Sequence, residues 1–153
     1  MQVDLIVVGK LNSNDLISVS KDYQTRISSF VKFNIIELKE CTKKNNIEEN
    51  LAQEEKSIMS KISDKTYLYI CDVRAKKLDS IQFAKQIEKT MEASNHIVFL
   101  IGSSNGISKN IKQRANNSIS FSDMTFPHKL FRIMFLEQLY RGYTIINNQS
   151  YHK

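Results

Sequence analysis

Residue types that bind metal ions or form disulfides are scarce in this sequence, which has two cysteines and three histidines in 153 residues. Cys41 and Cys71 lie far apart and lack the neighbouring ligands that mark a zinc site or a redox pair. We therefore expect free thiols that act as small apolar side chains in a reducing cytoplasm. The histidines have no metal-ligand spacing, so we predict no metal.

Long apolar runs are also missing. The longest, such as 97–101, are far too short to cross a bilayer, and the first residues do not read as an export signal. We therefore expect a cytoplasmic protein that does not bind a membrane. The sequence has no internal repeat, low-complexity tract or linker, and its length fits one domain over residues 1–153.

Positive charge is unevenly placed. The formal net charge is +6, and residues 107–153 carry a clear excess of lysine and arginine over acidic residues. A basic surface attracts polyanions, so nucleic acid is the natural partner. A solvated basic face with no specific role remains the alternative on charge alone.

Five short apolar segments alternate with segments of helical pattern. The predicted strands are 3–8, 33–38, 66–71, 97–101 and about 119–121, and the predicted helices are about 15–30, 47–62, 81–92, 108–115 and 127–142. The charges of the second helix look like a solvated face. This alternation predicts an α/β fold, with a mostly parallel sheet and helices on both faces.

The last helix is apolar around nearly its whole circumference. Pro127, the only proline, suits its first turn, and Gly142 suits its end. A helix without a solvent face is buried on more than one side. It is either a central helix of the monomer or a homodimer interface, and we favour the interface because so small a domain encloses few helices completely.

Two strands end in small, polar loops, at 102–106 and 122–126. Ligands in open α/β sheets bind outside the carboxyl ends of the strands, so these loops predict a small-molecule site. The first loop lacks both the Lys-Ser/Thr of a P-loop and the spaced glycines of a dinucleotide fingerprint. From these residues alone, a plain strand-to-helix turn or a flavodoxin-like nucleotide-binding module stays open.

Several unusual stretches occur together in order: MQVDLIVVGK at the start, FLIGSSNGIS, SISFSDMTFPHKLFRIMFLEQLYRGYTI, and Tyr151-His152-Lys153. Over essentially its whole length the chain resembles the RlmH family of bacterial ribosomal RNA methyltransferases, of the SPOUT class. The resemblance implies a C-terminal trefoil knot, a homodimer and S-adenosylmethionine as methyl donor. It also implies methylation of N3 of a pseudouridine in 23S ribosomal RNA, on the assembled ribosome.

The same resemblance assigns the site residues. It places Cys71, Gly102 and the loop Phe121, Ser122, Asp123, Met124, Thr125 and Phe126 around the methyl donor. For holding the acceptor RNA, the candidates are Tyr151, His152, Lys153 and Arg132, with His128 nearby. From the residues alone, the last three could be a frayed tail, and Arg132 could pair with Glu137 or with a partner subunit.

Two positions depart from the family pattern. Ser103 and Ala75 stand where such proteins usually have glycine. Each adds a Cβ where the backbone approaches the donor or takes a positive φ. The alternative function is therefore a catalytically weakened SPOUT protein that binds RNA or ribosomes without methylating.

Overall fold

The computed structural model describes residues 1–43 and 46–153. The strands are β1 (Gln2–Val8), β2 (Lys32–Leu38), β3 (Tyr67–Cys71), β4 (His96–Ile101) and β5 (Asn117–Ile119). The helices are α1 (Asn14–Ser28), α2 (Ile47–Met59), α3 (Ser80–Ala93), α4 (Lys109–Arg114) and α5 (His128–Ile146). All the predicted elements are present, although β5 ends two residues earlier than predicted.

The five strands form one sheet in the order β2-β1-β4-β3-β5, and every pairing between them is parallel. β1 and β4 occupy the middle, and their side chains are buried on both faces. Buried parallel strands read as continuous apolar runs, which is why both were visible in the sequence. The predicted α/β class is confirmed.

Side chains of β1 alternate between two core layers. Val3, Leu5 and Val7 join the larger layer, with residues of α1, α3 and α5. Ile6 and Val8 join the smaller layer, with residues of α2 and α4. The prediction of helices on both faces of the sheet is therefore confirmed, and the period-two alternation of a strand accounts for it.

The predicted end of the last helix at Gly142 is wrong, because α5 continues to Ile146. Gly142 is buried in the helix interior, where an added Cβ would lie 3.3 Å from Cδ1 of Ile87 and 3.8 Å from Cα of Ala84. The glycine thus permits close packing of α5 on α3. The helix ends instead at Asn147, and Asn148 follows with a φ of 53°, a left-handed conformation that asparagine tolerates.

α5 is a central helix already within the monomer. It packs against α1 and α3, and no residue from Phe131 to Ile146 is exposed. The ring of Phe30, just after α1, lies 5.8 Å from that of Tyr143 and 6.2 Å from that of Tyr140, between centroids. The homodimer stays a prediction. Within residues 1–43 and 46–153, none of the helices has the length and apolar character needed to span a bilayer.

Candidate functional site

A cleft of about 660 Å³ lies at the carboxyl ends of β4, β3 and β5. Three segments that are distant in the sequence form its walls: residues 71–73, residues 101–107, and the loop after β5. Of the eight residues predicted to surround a small molecule, seven line this cleft: Cys71, Gly102, Phe121, Ser122, Met124, Thr125 and Phe126. The structure thus brings the two predicted loops together at one edge of the sheet.

Asp123 is the predicted residue that does not line the cleft. Its carboxylate is exposed and accepts an ion-pair contact from Lys77, with an Nζ–Oδ1 distance of 2.7 Å. An exposed ion pair of this kind contributes little stability. Its predicted role in binding the small molecule stays a prediction.

Gly102 is held in a place where no side chain fits. An added Cβ would lie 2.7 Å from the carbonyl oxygen of Gly106 and 2.6 Å from Cγ1 of Ile107. The loop folds back on itself here, because the Gly106 N–H donates to the Ser103 carbonyl at 3.0 Å and Gly106 has a φ of +93°. The close approach of backbone to backbone explains the glycine in physical terms.

Ser103 is 2% exposed, and its side chain is bonded outside the cleft. Its hydroxyl donates to Oε2 of Glu54 on α2 at 2.7 Å and accepts from the Asn105 N–H at 3.1 Å. Glu54 is not among the residues that line the cleft. Ser103 itself lines the cleft, and its hydroxyl ties the loop to α2.

Glu54 is a buried carboxylate that sequence reasoning missed, since it is 3% exposed although the charges of α2 had suggested a solvated face. It accepts hydrogen bonds from the Cys41 N–H at 3.0 Å and from Nδ2 of Asn105 at 3.1 Å, besides that of Ser103. A buried charge needs such donors. The available signal was spacing, because Glu54 shares a buried helical face with Asn50 and Ile58.

Ala75, the second departure from the family pattern, also leaves the cleft open. Its N–H donates to the Asp72 carbonyl at 2.9 Å in a turn after β3, and it does not line the cleft. Among residues 1–43 and 46–153, Asn148 alone is a non-glycine residue with positive φ. Alanine is therefore unstrained at this position.

Asp72 and Cys71 set the electrostatics at the β3 end of the cleft. Desolvation pushes the pKa of Asp72 upward, but the hydrogen bonds from Lys112 Nζ at 2.8 Å and the Arg74 N–H at 3.0 Å outweigh it, so the pKa is lowered. Burial raises the pKa of the Cys71 thiol. Cys71 is thus a neutral thiol at physiological pH and forms part of the apolar wall.

Arg132 is buried, and it forms an ion pair with Glu37. Its Nη1 lies 2.7 Å from Oε2 of Glu37 on β2, and the arginine side chain is 6% exposed. Desolvation raises the pKa of Glu37, but Arg132 and the Leu11 N–H lower it by more. Glu137 pairs with Arg141, at 2.5 Å. Of the alternatives left open for Arg132, pairing with Glu137 is thus excluded, because β2 brings the carboxylate of Glu37 closer.

Of the last three residues, Tyr151 and His152 are half-buried and packed, whereas Lys153 is exposed. The Tyr151 ring meets the Tyr140 ring at 4.8 Å between centroids, its hydroxyl donates to Oε1 of Glu137 at 3.1 Å, and Arg141 lies over it at 4.7 Å. Desolvation and the nearby Glu137 raise the pKa of Tyr151 to about 12, so it is a neutral phenol at physiological pH. None of the three lines the cleft of its own chain.

Residues 1–152 match the family model described as "Predicted SPOUT methyltransferase". The chain belongs to the SPOUT methyltransferase family. Curated relatives named ribosomal RNA large subunit methyltransferase H include that of Mycoplasmopsis synoviae, 43% identical with 100% of both chains covered. That of Caldicellulosiruptor bescii is 37% identical, with 99% of both chains covered. These matches confirm the family resemblance read from the sequence, and with it the class of enzyme.

One solved structure, the SpoU methyltransferase AviRb of Streptomyces viridochromogenes in complex with AdoMet, matches with a TM-score of 0.46 and 9% identity. It covers 95% of this chain and 61% of that one. So distant a match adds nothing about the site of this SPOUT methyltransferase. As for metals, the part of the chain outside residues 44 and 45 contains no cluster of three or more histidine, cysteine or acidic side chains that could hold an ion.

Replacing Glu54 with glutamine tests its support of the cleft loop in this SPOUT methyltransferase. The amide retains one acceptor for the Cys41 N–H and Asn105 Nδ2 but presents an NH₂ group to the Ser103 hydroxyl, which donates to Oε2, so about 1–3 kcal/mol of stability should be lost. Urea denaturation measures this loss. Glu48→Gln, at an exposed position of the same helix, is the matched control. Equal midpoints for the two variants would show that the buried carboxylate is unimportant.

Proposed function

We propose that this chain transfers the methyl group of S-adenosylmethionine to N3 of a pseudouridine in 23S ribosomal RNA on the assembled ribosome. The observation that carries the proposal is the meeting of seven predicted donor-binding residues in one cleft. The name shared by full-length relatives at 37–43% identity supports the substrate class.

The lining of the cleft suits the donor chemically. Its walls are mainly apolar and suit an adenine ring, with Ile101, Ile119, Phe121 and Phe126 among them. Outside residues 44 and 45, no lysine or arginine lines it, so no lining cation would repel a positively charged sulfonium.

The protein's chemical task is mainly one of alignment. S-adenosylmethionine, when bound, supplies a methyl group on a sulfonium, which needs no enzyme nucleophile. The acceptor imide nitrogen must lose its proton and form the new N–C bond, while the electrons of the broken C–S bond stay on sulfur. Gly102 and the loop 121–126 would hold the donor. Holding acceptor and donor in line then supplies most of the rate. Tyr151, whose pKa is raised to about 12, is neutral at physiological pH and would contact the acceptor without acting as its base.

The proposal includes the trefoil knot, and contacts around β5 support it. The chain leaving β5 passes directly beside the loop that follows β3. The Asp72 N–H donates to the Ile119 carbonyl at 3.0 Å, the Ser120 N–H to the Lys76 carbonyl at 3.2 Å, and the Leu78 N–H to the Ser120 carbonyl at 3.2 Å. Hydrogen bonds in both directions would hold a threaded segment inside that loop.

The proposal also includes a homodimer in which the partner's tail presents the RNA. In one chain, Tyr151 and His152 contact α5, and none of the last three residues lines the cleft that they would serve. A groove between α3 and α5 shares Phe121 with the cleft and has the apolar side chains of Ile133 and Met134 in its wall. A second copy docked on this groove would bring its tail towards the donor.

Calorimetric titration with S-adenosylmethionine tests the donor directly. We expect saturable binding of one donor per chain, because the Ser103 hydroxyl is bonded to Glu54 and Ala75 does not line the cleft. Ribosomal RNA from cells with and without the gene should differ by one methyl group on a pseudouridine, measured by mass spectrometry. Absence of heat at millimolar donor would favour an RNA-binding protein without methyltransferase activity.

A further inference from the structure

A second cavity of about 580 Å³ lies next to the cleft, at the carboxyl ends of β1 and β4. We call it the β1–β4 cavity. His128 lines both spaces, and Ser104 in the cavity follows Ser103 in the cleft. Between β1 and β4 the strand order reverses direction, since β2 lies on one side while β3 and β5 lie on the other. Such a switch point is the usual place for a ligand in an open parallel sheet.

Arg132 forms part of the wall of this cavity and has unused hydrogen-bonding capacity. Its Nη1 donates to Glu37, but its buried Nε has no partner among the described residues. A buried donor without an acceptor is destabilising. An acceptor oxygen from a ligand in the β1–β4 cavity would relieve that cost, which points to an anionic or carbonyl-bearing occupant.

The charges around the cavity agree with an anion. Lys10 and Lys129 lie on its rim, both exposed, and the Lys129 ammonium reaches Oδ1 of Asn12 at 2.5 Å. Among the described residues, Glu40 is the one carboxylate that lines the cavity, and it accepts hydrogen bonds from the N–H and the hydroxyl of Ser104. By contrast, the groove between α3 and α5 contains Asp79 and Glu137 and no lysine or arginine among its described lining.

We propose that the β1–β4 cavity binds the phosphate and sugar of the acceptor nucleotide, beside the donor cleft. Arg132 would donate from Nε to an oxygen of that nucleotide, and Lys10 and Lys129 would contact the flanking phosphates of the RNA. The inference rests on the proposed function, because it takes the occupant to be the ribosomal RNA that is methylated. It assigns contacts with the acceptor RNA to this chain as well as to the partner's tail.

The test compares two double variants of the full-length chain that remove the same charge from exposed sites. Lys10→Ala with Lys129→Ala should raise KM for ribosomes that lack the modification roughly tenfold and reduce the slope of log affinity against log salt by about two. Donor affinity and kcat should stay within about twofold, because neither lysine lines the cleft. Lys85→Ala with Lys89→Ala, on the exposed face of α3, should change none of these values.

Arg132→Lys keeps a positive charge beside Glu37 but removes Nε. We expect a higher KM for ribosomes with unchanged donor affinity, and thermal unfolding shows whether the variant is folded. Equal KM for the two lysine double variants would overturn the inference. Ribosome binding is also measured by co-sedimentation without donor. A chain that binds ribosomes through Lys10 and Lys129 but takes up no donor would refute the proposed methyl transfer and retain the β1–β4 cavity only as a contact for ribosomal RNA.

Discussion

Gly102→Ala is expected to abolish binding of S-adenosylmethionine, with a loss of affinity of at least about a hundredfold. The added Cβ would lie 2.7 Å from the Gly106 carbonyl oxygen, which is backbone and cannot rotate away as a side chain can. The loop 102–107 must therefore shift, and small displacements in a closely packed wall carry large costs. Since this loop lines one side of the cleft, its movement changes the surface that the donor would meet.

The control for this prediction is a second Gly→Ala change. At Gly142 the nearest atom to an added Cβ is Cδ1 of Ile87 at 3.3 Å, the end of a flexible side chain. Alanine also favours a helix interior by about 1 kcal/mol over glycine. Gly142→Ala should thus leave donor affinity unchanged in calorimetry. If Gly102→Ala bound donor as tightly as Gly142→Ala does, the loop 102–107 would not form the donor site.

Deletion of Tyr151, His152 and Lys153 is expected to lower the methylation rate by at least about a hundredfold, because the acceptor would no longer be held in line with the donor. Donor affinity should remain within about twofold of the full chain, since none of the three residues lines the cleft. The fold should also persist. The tail packs on the surface of α5 through Tyr140, Glu137 and Arg141, and it does not belong to either core layer.

Single-turnover methylation of ribosomes and donor calorimetry, run on the same preparations, measure the two effects separately. Tyr151→Phe is the matched variant, because it keeps the ring against Tyr140 and removes only the hydroxyl bonded to Glu137. It should retain much more activity than the deletion if stacking on the base is the main contribution. Equal losses of donor affinity and methylation in the deletion would show that the tail supports the fold instead.

The sequence predicted the strands and helices because each element depends mainly on residues close together in the chain. Apolar runs marked β1 and β4, and the capping pair Asp79 and Gln82 lies at the start of α3. The prediction that α5 ends at Gly142 failed because a contact distant in the sequence determines this residue. A glycine near a helix end usually terminates it, but here close contact with α3 determines the residue, and such a contact leaves no mark in the neighbouring sequence.

Family motifs predicted seven of the residues that line the candidate site. The side chains that support those residues depend on tertiary packing. The loops at 102–106 and 122–126 were visible because strand ends in a parallel sheet meet at one edge. The other charges of α2 gave no sign that Glu54 is buried. The Cβ of Ser103 was expected to disturb the donor site, but the sequence did not show that its hydroxyl donates to Glu54. The partners are distant in sequence, so neither residue predicts the other.

The sequence by itself determined the order of strands and helices, the parallel α/β class, the family, and seven of the residues around the cleft. Only the tertiary structure decided which charges pair, as Arg132 does with Glu37 and Lys112 with Asp72, and where a second cavity opens beside the first. The physical reason is the separation along the chain between the residues that determine each feature. Strand and helix patterns depend on neighbours along the chain, whereas ion pairs and cavities depend on side chains that meet only after the sheet and its helices have packed.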